Sequence, residues 1–289
     1  NWNLPFSIMI IKKSFPFAIL VLLMTFYNRI DTVMLERILP DASVVKTGIN
    51  SGEMQSGIYA SAYRLLDATN MIAYLFSVLL LPLFAKMIKF KESVEGLVRL
   101  AFSLLFGGAM IVSVASYFYS HEIMELLYPI GKTETLQIYH ERIQASSDVF
   151  GLLMGCFVPI STTYVFGTLL TANGNLKQLN IMAASGMLMN ILLNVFLIPH
   201  FYATGSAFAS LFTQFTTSLV QVIIVQRVFR FHVNIKFLIA LLLFVAGVFL
   251  LGYISKQMDN TWTVNICLMI LSSGFLALVL RIISFRNII

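Results

Sequence analysis

Eight long apolar stretches govern what this chain can become, at roughly 14–38, 56–87, 97–120, 146–172, 176–198, 203–228, 234–255 and 262–284. Each has about the 20 mostly apolar residues that an α-helix needs to cross a bilayer core. Inside lipid every backbone amide must be satisfied within the segment, so such stretches read as helices and the chain as an all-α, polytopic membrane protein of eight spans. Composition agrees: 58% of the 289 residues are hydrophobic and 11% charged, against about 45–50% and 25% in soluble domains. So few charges could not cover the apolar surface of a soluble enzyme. Disorder and a disulfide scaffold are excluded as well, because polarity is low and the two cysteines, Cys156 and Cys267, sit in apolar runs. The first stretch is too long for a cleavable signal peptide.

Loop charge tests the span count, since membrane insertion leaves Lys and Arg in excess on the cytoplasmic side. One set of connections, among them Lys12-Lys13, Lys86 to Arg99, Lys177, Arg227 to Lys236 and the C-terminal end, holds 12 bases against the two acids Glu92 and Glu95. The opposite set holds 5 bases against 9 acids, concentrated at about 39–55 and 121–148. The base-rich side reads as cytoplasmic, and an even number of spans puts both ends of the chain there. The net charge of +6 therefore reports topology; no basic run points to nucleic acid.

Four charges fall inside the predicted spans: Arg29, Asp31, Arg64 and Asp67. A charge at the centre of a membrane helix costs about 2.5–3.5 kcal/mol on insertion scales, and such residues mark substrate or ion pathways by default. At 1.5 Å per residue, Arg29 and Asp31 lie about 11–14 Å in from the outer end of the first span, and Arg64 and Asp67 about 12–17 Å in along the second. The two helices share one external loop, so they are expected to be antiparallel neighbours within reach of a cross-pair such as Asp31 with Arg64. Arg64 and Asp67 are i,i+3 and share a face, whereas Arg29 and Asp31 point about 200° apart, so only one of the latter faces a given cavity. Two readings stand: mutually neutralising ion pairs in helix packing, or a hydrated cavity with a guanidinium free to bind an anion.

Polar stripes favour a wet interior. Ser210, Gln214, Thr217 and Gln221 recur along one face of the sixth span, Asn190 and Asn194 are i,i+4 on the fifth, and Ser161 to Tyr164 follow Pro159, a predicted kink, on the fourth. Taken singly, such residues also serve as interhelical hydrogen bonds. The seventh and eighth spans lack stripes and are expected to lie against lipid. His121, Glu122 and Glu125 lack the second His of a metal-binding helix, so HEIMELLY reads as a solvated surface helix. There is no phosphate-binding glycine loop and no Ser or Cys nucleophile beside a His. No catalytic residue, metal or cofactor is assigned.

The string YNRIDTVMLERI, followed by SGIYASAYRLLDA and LLLPLFAKMI, and the string GTLLTANGNLKQLNIMAASGMLMNILLNVFLIPHFYATGSAFAS resemble bacterial oligosaccharide-lipid flippases. These are the O-antigen and capsular polysaccharide exporters of the multidrug/oligosaccharidyl-lipid/polysaccharide superfamily. The resemblance lies within residues 14–228. It departs at Glu36, where a Gly is common, and at Thr204 and Ser206, where the family has smaller residues.

That resemblance implies two six-helix lobes around a central cavity, with residues 1–230 forming the second lobe and 231–289 two additional C-terminal helices. It further implies a first lobe upstream of Asn1, and the absence of an initiating Met accords with that. The implied substrate is an undecaprenyl-diphosphate-linked oligosaccharide in the bacterial inner membrane. Arg64 and Arg29 would pair with diphosphate oxygens. Asp31 and Asp67 would hold the arginines or take up a coupling H⁺ or Na⁺, and Asn190, Asn194, Gln214, Thr217 and Gln221 would line the cavity toward sugar. Membrane lipid and polysaccharide polymerase or export machinery are the implied partners. The alternatives are an ion-coupled drug or cation antiporter of the same superfamily, an intramembrane glycosyl- or phospho-transferase using the external acids, and a non-transporting scaffold.

Overall fold

The computed structural model describes residues 4–41, 48–132, 134–232 and 234–282, without the side chains of Tyr27 and Asn28. Lys46 and Arg286 of the charge count lie outside them. The described residues form nine helices and no strand.

Helix α1 (Leu4–Ile38) starts ten residues before the expected position 14 and runs through Lys12, Lys13 and Pro16. Pro16 has no N–H to donate, and its own carbonyl accepts a hydrogen bond from Asn180 Nδ2 at 3.0 Å. Helix α2 (Gly52–Lys89) is capped by Ser51, whose hydroxyl accepts from the amide of Met54. Its first residue must be small: a β-carbon on Gly52 would sit 2.8 Å from the carbonyl oxygen of Glu36, because α1 and α2 meet there.

Helix α3 (Glu95–Phe118) leads into the short α4 (Ser120–Leu127), the surface turn expected from HEIMELLY, where Glu122 pairs with Lys256. The fourth span is two helices, α5 (Leu136–Gly155) and α6 (Phe157–Ala172), and begins ten residues earlier than expected. The break at Cys156 has a local cause. Pro159 cannot donate to the carbonyl of Gly155, so the chain restarts, placing Pro159 in the first turn of α6, where amides lack helical partners anyway.

The 54-residue α7 (Leu176–Phe229) is interrupted at Tyr202, with φ 52° and ψ −137°, a conformation that L-residues adopt only under tertiary constraint. Its two arms, 176–201 and 203–229, are each about 40 Å long at 1.5 Å per residue and match the fifth and sixth expected spans. Behind the break Gly205 lies so near the first arm that a β-carbon would fall 2.6 Å from the carbonyl oxygen of Leu197. Ser206 fits this contact wholly buried. Gln55 fastens the apex, accepting from the amide of Ala203 at 3.0 Å and donating to the carbonyl of Ile49 at 2.9 Å.

Seven helical segments of the described chain are long and apolar enough to cross a membrane, and the division of α7 makes eight crossings. The chain is an all-α, multi-pass membrane fold. Helix α1 packs mainly on α7, and α2 on α5 and α6. Helices α8 (Ile235–Lys256) and α9 (Trp262–Val279) pair with each other and rest on α3. Leu, Ile, Phe and Val side chains cover much of the outer surface, as expected when the surrounding medium is hydrocarbon. The interior carries the unusual groups, including a fully enclosed carboxylate.

Candidate functional site

Arg29 and Asp31 go to opposite sides of α1, as the 200° separation requires. Arg29 points to the exposed side, where its Nη2 donates to Asp67 Oδ2 at 2.9 Å and its guanidinium lies 5.3 Å from the ring centre of Tyr63. The cross-pair thus forms between Arg29 and Asp67, not between Asp31 and Arg64. Both partners are largely accessible, 65% for Arg29 and 42% for Asp67. Arg64, one turn before Asp67 on α2, is exposed and makes no ion pair among the described residues. Arg29, Arg64 and Asp67 together carry a surplus of one positive charge on α1 and α2.

Asp31 is 1% exposed and faces only neutral hydrogen-bonding groups. Its Oδ2 accepts from Tyr59 at 2.6 Å and from the Ser210 hydroxyl, and its Oδ1 accepts from Asn194 Nδ2 at 2.8 Å. Asn194 also donates to the side-chain oxygen of Asn190 at 3.0 Å, and Asn190 donates to Ser210 at 3.3 Å. Asn190 and Asn194 are fully buried, while the Asn194 Oδ1 has no partner among the described residues. The i,i+4 asparagines of α7 thus serve a carboxylate in the packed interior, where the sequence suggested a cavity wall.

The rest of the stripe leads elsewhere. A small void beside Asp31 is bounded by Tyr63, Cys156, Ile160 and Gln214. Ile160 and Gln214 also line a much larger cavity of about 400 Å³ between α1, α2, α6 and α7. Thr217 and Gln221 border that cavity, as do Asn70 and Tyr74 of α2 and Thr163 and Tyr164 of α6. Gln214 borders both spaces and Thr217 and Gln221 the larger one, whereas Ser210 belongs to the Asp31 cluster. Tyr59, Tyr63, Asn70 and Tyr74 escaped the sequence reading, although Tyr59 and Tyr63 stand at i−8 and i−4 from Asp67 and so repeat along its face.

At the acid-rich end Arg142 grips both carboxylate oxygens of Glu134, at 2.7 and 3.0 Å. The hydrogen bond from Arg142 holds the Glu134 carboxyl below its ordinary range. This pair ties the 128–135 connection to the start of α5, since Arg142 also donates to the carbonyl of Tyr128.

This arrangement of eight crossings has a solved counterpart. The fold is similar to that of the lipid II flippase MurJ. The likeness is to its inward closed conformation, with a TM-score of 0.70 and 17% sequence identity, and covers 100% of this chain and 57% of the MurJ chain. The chain spans somewhat over half the length of that neighbour. No family model and no curated protein matches the sequence. The likeness shows the fold, whereas the O-antigen branch named by the sequence resemblance is finer than it reaches.

Proposed function

We propose that this chain is the second lobe, with two additional C-terminal helices, of a flippase that moves an undecaprenyl-diphosphate-linked oligosaccharide, an O-antigen or capsular or exopolysaccharide unit, across the bacterial inner membrane. The observation that carries the reading is the surplus of positive charge at Arg29, Arg64 and Asp67, none of them buried, within two membrane-spanning helices. Exposed charge within an apolar span is costly, and a diphosphate offsets that cost by accepting charge-assisted hydrogen bonds from both guanidinium groups. Residues 1–230 would supply one wall of a central cavity and a first lobe the other. Rocking of the lobes would then alternate access while the lipid tail stays in the bilayer.

Asp31 takes a different role in this proposal. A buried carboxylate that accepts from the hydroxyls of Tyr59 and Ser210 and from the side-chain amide of Asn194 would take up a coupling H⁺ or Na⁺, and the void next to it adjoins the larger cavity. The same carboxylate is the feature that favours the second reading, an ion-coupled drug or cation antiporter.

A deletion strain separates the readings. Accumulation of lipid-linked sugar and loss of surface glycan, both restored by the full-length gene, is the expected result. Unchanged glycan with a fall in tolerance to cationic drugs would reject the flippase and favour the antiporter.

A further inference from the structure

The large cavity is chemically unlike the arginine cluster beside it. It begins one helical turn, about 5.4 Å, beyond the Arg29–Asp67 pair: Thr25 precedes Arg29 by four residues on α1, and Asn70 follows Asp67 by three on α2. Yet none of the described residues lining it is charged. A phosphate would find no counterion there.

What the cavity offers is unused hydrogen-bonding capacity. Gln221 is fully buried, and neither its amide nitrogen nor its amide oxygen has a partner among the described residues; Asn70 Oδ1 and Thr163 Oγ1, on half-buried residues, lack one as well. A buried polar group without a partner is destabilising by about 1–3 kcal/mol, and these four atoms belong to residues that line one space. The placement is specific, because Gln221 can sit where it does only while α6 has no side chain opposite: a β-carbon on Gly167 would come within 2.6 Å of the Gln221 nitrogen. A carboxamide both donates and accepts, as adjacent hydroxyls do. Tyr74 and Tyr164, edge to face at 6.3 Å between ring centres, add aromatic surface for C–H groups.

We infer that this cavity is a subsite for an uncharged sugar ring, the one attached nearest to the diphosphate. The inference rests on the flippase reading and adds to it a fixed orientation: diphosphate at Arg29 and Arg64, first sugar between α2, α6 and the second arm of α7. An acidic sugar at that position is disfavoured, since its carboxylate would enter a space with no cation. Hydrocarbon is disfavoured too, because it would leave the four polar atoms unsatisfied.

Two nearly isosteric changes test this in the full-length protein: Gln221→Met and Thr163→Val. Each removes orphaned polar atoms and little else, so the melting midpoint of the purified protein should hold or rise. Restoration of surface glycan in the deletion strain should nevertheless fall about tenfold for Gln221→Met, the equivalent of about 1.4 kcal/mol, and less for Thr163→Val. Wild-type export in both variants would overturn the subsite and leave the flippase reading standing. Increased export would point to a hydrocarbon occupant, and export lost together with a lowered melting midpoint would point to packing; either result overturns the inference. Failure of the unmodified gene to restore glycan would remove the flippase reading, and the subsite with it.

Discussion

Arg64 gives the sharpest test of how this molecule handles its substrate. The guanidinium is exposed and makes no ion pair among the described residues, so Arg64→Ala strands no buried carboxylate there, and Asp67 keeps Arg29 at 2.9 Å. A surface change of this kind shifts stability by about 0.5 kcal/mol or less, and protein abundance should not move. A guanidinium that grips a diphosphate is different, because a hydrogen bond involving charged groups contributes about 1.5–3 kcal/mol. At 1.4 kcal/mol per factor of ten, its loss corresponds to export lower by about 10- to 150-fold. Arg64→Lys should recover part of this, since an ammonium keeps the charge but not the planar fork. The assay is surface glycan in the deletion strain, normalised to the amount of protein in the membrane, for wild type, Arg64→Ala, Arg64→Lys and Arg29→Ala. Arg29→Ala separates binding from packing: it frees a half-exposed Asp67 at a structural cost of about 1 kcal/mol or less, so any deep loss of export comes from the ligand. Wild-type export by Arg64→Ala, or abundance falling in proportion to export, would refute the argument.

The remaining predictions concern the interior and the acid-rich side. Asp31→Asn keeps the shape of a group that Tyr59, Ser210 and Asn194 surround, so the protein should insert and melt near wild type while export or its ion dependence is abolished; an active variant would end the coupling role. Gln55→Leu should lower the melting midpoint by the equivalent of about 1–3 kcal/mol, because it orphans the buried amide of Ala203 at the strained apex of α7; an unchanged midpoint would contradict this. The Glu134 carboxyl is held below its ordinary value by Arg142, so the stabilisation from the pair is complete above about pH 4.3 and disappears as pH falls through the lowered value. The melting difference between wild type and Arg142→Ala should therefore be largest at neutral pH and close in acid, and a difference that grows on acidification would reverse the sign of the argument. Cysteine labelling from outside should modify a site at Asn260 and spare Lys89 and Lys177, and the opposite pattern would invert the proposed topology.

Along the chain, the sequence determined everything that depends on local composition. Apolar length set the eight crossings, because hydrocarbon leaves a backbone no option but to satisfy itself, and loop charge suggested their direction. The 100° step per residue already separated Arg29 from Asp31, and the i,i+4 and i,i+7 spacings collected Asn190 with Asn194 and Gln214 with Thr217 and Gln221. Tertiary structure decided which of these groups meet. Residues on one helix face share a direction but not a partner, and the partner depends on how neighbouring helices rotate and approach. That rotation paired Arg29 with Asp67 and left Arg64 without an ion pair among the described residues. It enclosed Asp31 among Tyr59, Asn194 and Ser210, residues up to 179 positions away, and it divided one polar stripe between a carboxylate cluster and a neutral cavity. The close approaches that fix the rotation, at Gly52, Gly167 and Gly205, are contacts between segments distant in sequence or folded back on themselves. A glycine alone does not name what it touches, so no local pattern could have supplied them.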